Sequence, residues 1–245
     1  MNKTKTVKDF TQAIKHFPRL YYDNNEPFLP IKIGYKIYKT QQITDHYQSP
    51  TFSRTLIFLQ ELLNTDQDAQ AIIEYSLWYE ADISHLYELE HLWVYLNDKN
   101  KVIKIEGSRH GNIINLNLHQ KIIIEPGKHG HAQGKLSDRF KKLLIYICQK
   151  PGTTGLLIDG INAPSLFQFK NLLAVKYKTP QLDKKIMEYL NYYKFIPSFK
   201  FQKEFIVEKE NFMPWKKFEE YIKKFLLTKI KNLSRSNAFL KNTSS

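Results

Sequence analysis

Five short segments in the first half of the chain are apolar, either by alternation or in continuous runs. They are PIKIGYKIY (30–38), AIIEYSLWYE (71–80), ELEHLWVYL (88–96), KVIKIEGS (101–108) and KIIIEP (121–126). All are rich in β-branched and aromatic residues and are separated by turn-formers such as NDKN, which predicts β-strands. FSRTLIFLQELLN (52–64) reads as a helix, with a strand reading of its start also open. Beyond residue 135 the period lengthens. SDRFKKLLIYICQ opens on Ser137 as an N-cap and sets Phe140, Leu143, Leu144 and Ile147 on one helical face. TPQLDKKIMEYLNYY has Thr179 as a cap and Pro180 at the first helical position. SFKFQKEFIVE (198–208) alternates like a strand. MPWKKFEEYIKKFLLTKIKNL (213–233) predicts a long amphipathic helix with Trp215, Phe218, Ile222, Phe225 and Leu226 on its apolar side. The closing SRSNAFLKNTSS reads as a frayed, flexible tail over 234–245, and there is no internal repeat. The pattern as a whole predicts an α+β protein.

Composition adds a packed core: of 245 residues, 42% are hydrophobic and 14% aromatic, well outside the disordered range. A single cysteine rules out a disulfide framework and a cysteine-based zinc site. Cys148 lies in the apolar run KKLLIYICQ, where a buried inert thiol is expected. The polar opening MNKTKTVKDFTQAIKHF lacks the apolar stretch of a signal peptide. No segment reaches the ~18–20 apolar residues of a membrane span. A cytoplasmic protein is therefore expected.

Charge divides the chain. Residues 1–134 hold 15 Lys/Arg and 15 Asp/Glu while residues 135–245 hold 22 and 9, so the whole net charge of +13 falls in the second part. All eight histidines lie at or before position 131. The expected organisation is a β-rich, histidine-bearing domain over 1–134, with a basic, mostly helical region over 135–233 packed on it. No Pro/Gly/Ser-rich linker separates the two.

The candidate chemistry begins in YEADISHLYELEHLWVYLN (79–97), which gathers Asp82, His85, Glu88, Glu90 and His91 at a strand entry. On a strand, Glu88 and Glu90 share one face, where two carboxylates repel unless a cation or proton separates them. Asp82 and His85 lie just upstream. Carboxylate oxygens suit hard divalent ions, and an imidazole widens the choice to Mn²⁺, Fe²⁺ or Zn²⁺. A solvated strand entry fits the same spacing. His91 points to the opposite face and reads as a core histidine. Two glycine-bracketed turns follow, GSRHGN (107–112) with Ser108, Arg109 and His110, and EPGKHGHAQG (125–134) with Lys128, His129 and His131. Glycines of this kind build sites, and equally they build hairpins.

The order of these elements resembles the necrosis-inducing (Nep-like) proteins and the related vacuolar-protein-sorting "sixty-two" family. SHLYELEHLWVYL is similar to the Nep-like heptapeptide Gly-His-Arg-His-Asp-Trp-Glu with its following apolar strand, His85, Glu88 and Glu90 taking the first-His, Asp and Glu places. EYSLWYEAD resembles the upstream Tyr-Ser-Trp-Tyr…Asp run and puts Asp82 at a further ligand place. GSRHG matches Ser-x-His-Gly through Ser108, His110 and Gly111, and IIIEPGKHGHA resembles the sorting family's strand followed by Gly-Ser-His-Ala. RLYYDNNEPFLPIKI (19–33) is similar to that family's opening, with Asp23 and Glu26 in its acidic turn. The resemblance spans roughly residues 18–135. Tyr87 replaces the second His, Glu88 the Asp and Leu89 the Trp, and cytolytic activity is not carried over because those proteins are secreted.

What the resemblance implies is a β-sandwich-like core with a divalent cation, Ca²⁺ or Mg²⁺ first and Mn²⁺ or Zn²⁺ second, at Asp82, His85, Glu88 and Glu90. Three uses of such an ion follow. It can bridge the protein to a glycan, a lipid headgroup or another small anionic ligand. It can activate water for hydrolysis of a phosphate or carboxylate ester, with His110 or His129 as base and Arg109 or Lys128 holding the anion. It can be purely structural. The 213–233 helix has the pattern of helices that lie on anionic membranes, or of one whose aromatic side packs on the protein. No helix-turn-helix, zinc finger or RNP-like motif points to nucleic acid. No P-loop, GxGxxG, GxSxG or HExxH is present.

Overall fold

A computed structural model describes residues 3–39, 68–151 and 179–235. The expected helix at 52–64 and the run PGTTGLLIDG after residue 151 lie outside the described residues, as do residues 236–245. The elements are α1 (Lys3–His16), β1 (Leu20–Tyr22), β2 (Lys32–Lys39), β3 (Ala71–Tyr79), β4 (Glu88–Leu96), β5 (Val102–Arg109), β6 (Asn112–Leu116), β7 (Ile122–Ile124) and β8 (His131–Gln133), then α2 (Asp138–Gln149), α3 (Pro180–Tyr192), β9 (Lys203–Glu204), β10 (Phe212–Pro214) and α4 (Trp215–Arg235). The protein is α+β.

The strands form two sheets. One runs β10-β2-β3-β4-β5-β6 and the other β8-β7-β1-β9. The meander β2 to β6 is antiparallel throughout, with Tyr79 opposite Glu88 and Leu77 opposite Glu90. Two pairings are parallel, β10 on β2 and β7 on β1, and each joins segments remote in the chain. The helical, C-terminal part thus contributes one strand to each sheet.

Alternation along β4 sorts its side chains. Leu92, Val94 and Leu96 join Ile73, Tyr75, Leu77 and Tyr79 of β3 in an apolar cluster that also holds Leu20, Tyr22, Ile122 and Ile124 from the other sheet. Both sheets therefore bury their apolar faces in a shared core. The opposite face of the larger sheet carries Tyr38, Ile72, Trp93 and Tyr95 at one end. At its other end Trp78, Tyr87 and Leu89 pack with the helices, through Leu182, Ile186, Phe218, Ile222 and Leu226.

The apolar stripe of α4 is accordingly covered by the chain itself, with Phe218, Ile222, Leu226, Ile230 and Leu233 buried. No helix among the described residues is long and apolar enough to cross a membrane. Ser137 and Thr179 cap α2 and α3 as expected, accepting from the amides of Phe140 and Leu182. In α2, however, the buried residues are Leu144 and Cys148, and Leu143 is exposed, so the buried stripe is rotated from the expected one. Of the alternating 198–208 run only Lys203 and Glu204 pair, with β1. Phe205 turns inward while Ile206 is exposed, so its alternation records burial on one side and not a full ladder.

Candidate functional site

The loop between β3 and β4 is pinned by Asp82. Its fully buried carboxylate accepts at Oδ1 from the amides of Ser84 and His85, both at 2.6 Å, while its own amide donates to the His85 carbonyl at 3.0 Å. This compact turn faces the side chain of His85 toward the start of β4. His85 Nδ1 lies 2.5 Å from the Tyr87 carbonyl, which can only accept, so Nδ1 carries the hydrogen. In the neutral ring Nε2 then keeps its lone pair, and it lies 3.5 Å from Glu88 Oε2. One donor atom each from Asp82, His85 and Glu88 lie within 4.8 Å of one another. The 3.5 Å from Nε2 to Glu88 Oε2 is an ordinary ion-pair spacing, and it is also close to the roughly 3.4 Å between two ligands of a tetrahedral ion bonded at about 2.1 Å, the Zn²⁺ geometry.

A second loop, between β7 and β8, closes on the first. The amide of Ile83 donates to the Gly127 carbonyl at 2.9 Å. Gly127 has φ +68°, and a Cβ there would lie 2.7 Å from Cys148 Sγ, so glycine permits both the turn and its packing on α2. Cys148 is buried against this turn, as expected, and burial pushes its thiol well up. The turn carries Lys128 into the acidic group, where Nζ pairs with Asp82 Oδ2 and reaches Ser84 Oγ at 3.3 Å. Burial opposes ionisation of Asp82, but His85 and Lys128 outweigh it and hold the carboxyl below its ordinary range.

Glu90 stands one step further in. It is on the same face as Glu88, as the alternation requires, but it is not among the three converging donors. Its carboxyl accepts from the Ser108 hydroxyl. Burial first, and Glu88 beside it second, push the Glu90 carboxyl well above the usual carboxylate range. His91 faces the other way, with Nδ1 3.4 Å from Glu74 Oε1 and its ring stacked on Trp93 at 5.6 Å.

The remaining candidates divide. His129 is fully buried and stacks on Tyr79 with ring centroids 4.0 Å apart; its Nε2 is 3.4 Å from Glu26 Oε1. Glu26 in turn accepts from the Gly127 amide at 2.6 Å, tying the acidic turn after β1 to the Lys128 loop. Asp23 instead accepts from Ser198, through its amide and its hydroxyl, both at 3.0 Å. Arg109 and His110 converge on Glu125, at 2.7 and 2.5 Å, and not on the Asp82 group. His110 and Gly111, at φ +48° and +78°, are the two central residues of the β5–β6 hairpin, closed by the Arg109–Asn112 pair. The GSRHGN turn is thus a hairpin first. Glu125 escaped the sequence reading, although a lone acid ending the apolar run KIIIE was a legible signal. Tyr22 and Tyr79, whose hydroxyls meet at 2.6 Å between the sheets, left no such signal.

His131, at the edge of the same interior, sets a pH limit on the fold. Its Nδ1 lies 2.8 Å from the Ser108 carbonyl and so donates, leaving a buried Nε2 with no partner among the described residues. Burial lowers its pKa from 6.5 to about 4. A base depressed in the folded state binds protons more readily when unfolded, so stability is full above pH 6.5 and declines as pH falls toward 4. At about 1.4 kcal/mol per pH unit the decline is on the order of 3 kcal/mol. Urea titrations from pH 7 to 4 should show it, and His131→Gln, which still offers a donor to the Ser108 carbonyl, should flatten it. An unchanged slope in the variant would assign the decline to other groups.

Compared with known families, with curated proteins and with solved structures, the chain matches none.

Proposed function

We propose that this is a cytoplasmic, divalent-cation-binding protein of β-sandwich-like architecture, which recognises a glycan or an anionic headgroup through its bound ion. The observation that carries this reading is the convergence of Asp82, His85 and Glu88 within 4.8 Å, from a loop and the strand it feeds. The direction of His85 adds to it, because a carbonyl holds the hydrogen on Nδ1 and leaves Nε2 as a donor beside Glu88. The sandwich reading is supported by the apolar cluster that both sheets share. The order of Ca²⁺ or Mg²⁺ before Mn²⁺ or Zn²⁺ rests on the sequence resemblance alone. Binding is favoured over hydrolysis because Arg109 and His110 converge on Glu125 and not on the Asp82 group, while His129 is fully buried and stacked on Tyr79.

The test is a thermal melt of chelator-stripped protein titrated separately with Ca²⁺, Mg²⁺, Mn²⁺ and Zn²⁺. An ion that binds only the folded state stabilises it by about 2.7 kcal/mol at a hundred times its Kd, so a saturable rise in Tm is expected. Glu88→Gln should abolish the rise and Glu90→Ala should reduce it. His91→Ala, on the other face of the sheet, should lower Tm while leaving the rise intact. A flat response of the wild type to all four ions would reject the reading and leave the cluster as a strand entry.

A further inference from the structure

The acidic group already holds a cation, the ammonium of Lys128. Asp82 has no carboxylate oxygen free of a partner: Oδ1 accepts two backbone amides and Oδ2 holds Lys128 Nζ. The lysine is mostly buried, with 19% of its side chain exposed. Its Nζ lies on Asp82 Oδ2 and reaches Ser84 Oγ at 3.3 Å, so the ammonium sits on one of the four ligand positions read from the sequence. A divalent ion at Asp82, His85 and Glu88 would share the Asp82 carboxylate with the ammonium, and two like charges on one buried carboxylate repel strongly.

We infer that Lys128 is the resident counter-ion of this site, and that a divalent ion binds by displacing it from Asp82. This rests on the ion-binding reading above and adds its regulation. Without a divalent ion, Lys128 neutralises Asp82 and holds the β7–β8 loop against the β3–β4 loop. When the ion binds, the ammonium is released toward solvent beside the site, where it offers a positive charge to an anionic ligand. Ion uptake and ligand capture are thereby coupled through one side chain. The backbone bond from Ile83 to Gly127 keeps the two loops together while the side chain leaves.

Two measurements test this. The first compares wild type, Lys128→Met and Lys128→Arg in melts with chelator and with each of the four ions. Lys128→Met removes the competitor, so it should melt below wild type in chelator and reach half-maximal stabilisation at an ion concentration at least tenfold lower. Lys128→Arg retains the charge and should behave like wild type. An equal midpoint in wild type and Lys128→Met overturns the inference while the ion site stands. If neither protein responds to any ion, the ion-binding reading falls and the inference with it. The second measurement needs no variant, so it holds even if Lys128→Met fails to fold. Acetylation of wild-type lysines is followed by peptide mass spectrometry, with chelator and with the stabilising ion. Labelling of Lys128 should rise several-fold when the ion is added, against unchanged labelling of Lys216 and Lys217. Labelling that stays constant or falls at an ion concentration that saturates the Tm response overturns the inference.

Discussion

Asp82→Ala should destabilise the ion-free protein by about 3–5 kcal/mol, the range for breaking a buried ion pair by removing one partner. The carboxylate is fully buried and serves two functions at once. Oδ1 satisfies the amides of Ser84 and His85, and Oδ2 satisfies the ammonium of Lys128. Alanine would take the acceptor from the amides of Ser84 and His85 and the carboxylate from the Lys128 ammonium, and each unsatisfied buried group costs about 1–3 kcal/mol. Asp82→Asn keeps one carbonyl oxygen for the two amides and loses only the charge, so its loss should be smaller. Denaturant unfolding of the three proteins reads the order directly. A loss below about 1 kcal/mol in Asp82→Ala would show that the β3–β4 loop is held by other contacts. A consequence for function is that stability and ion binding are coupled here, so the Glu88→Gln variant is the cleaner probe of the ion.

The second large effect lies where α4 crosses the β-sheet. Gly34 of β2 faces the ring of Phe218, and a Cβ on Gly34 would approach that ring to 2.4 Å. Phe218 is completely buried, within the cluster that joins the helices to Trp78, Tyr87 and Leu89. The ring cannot retreat without moving α4, so Gly34→Ala should cost at least the 1–3 kcal/mol usual for overpacking. Phe218→Ala should cost about 3–5 kcal/mol through lost burial and the cavity left behind. In combination the two are not additive: once the ring is gone, a methyl at position 34 occupies part of its space. The double variant should therefore be no less stable than Phe218→Ala alone, a coupling of the size seen between residues in direct contact. Additive losses would mean that α4 does not rest on Gly34 as described.

This contact also explains how the basic helical part relates to the site. Trp78 lies on the strand whose end feeds the Asp82 loop, and it packs among α4 side chains, with its ring 6.4 Å from that of Phe225. Glu80, the residue following that strand, pairs with Lys229 of α4 at 3.2 Å and accepts from Tyr189 of α3 at 2.7 Å. The helices thus brace the loop from behind, on the face opposite the carboxylates. Lysine on α4 is in part a structural partner and not only a solvated charge.

Much of the local structure was legible in the chain. The spans of β2 to β5 follow from β-branched alternation bounded by turn residues, and the caps Ser137 and Thr179 follow from side chains that can satisfy helix-end amides. The separation of Glu88 and Glu90 from His91 follows from the two-residue period of a strand and holds in the fold. One helix escaped although its pattern was present: Phe10, Ala13, Ile14 and Phe17 recur at helical spacing and pack in the shared core. The short strands β6, β8 and β10 were not legible, because runs of three to five residues carry too few positions to define a period, and of the strand expected over 198–208 only β9 forms.

The longer strands, the helix caps and the alternating faces of β4 follow from the chain alone, since periodicity and caps act over a few neighbouring residues. Which loops meet depends on how those elements pack. The tertiary structure brought Lys128 to Asp82 across 46 positions, Gly127 to Glu26 across 101, and β10 beside β2. It also sent Arg109 and His110 to Glu125, away from the Asp82 group they had been grouped with. The physical reason is that a charge has no preferred partner along the chain. Packing of the sheets and helices chooses which opposite charge lies close enough, and dry enough, to hold it.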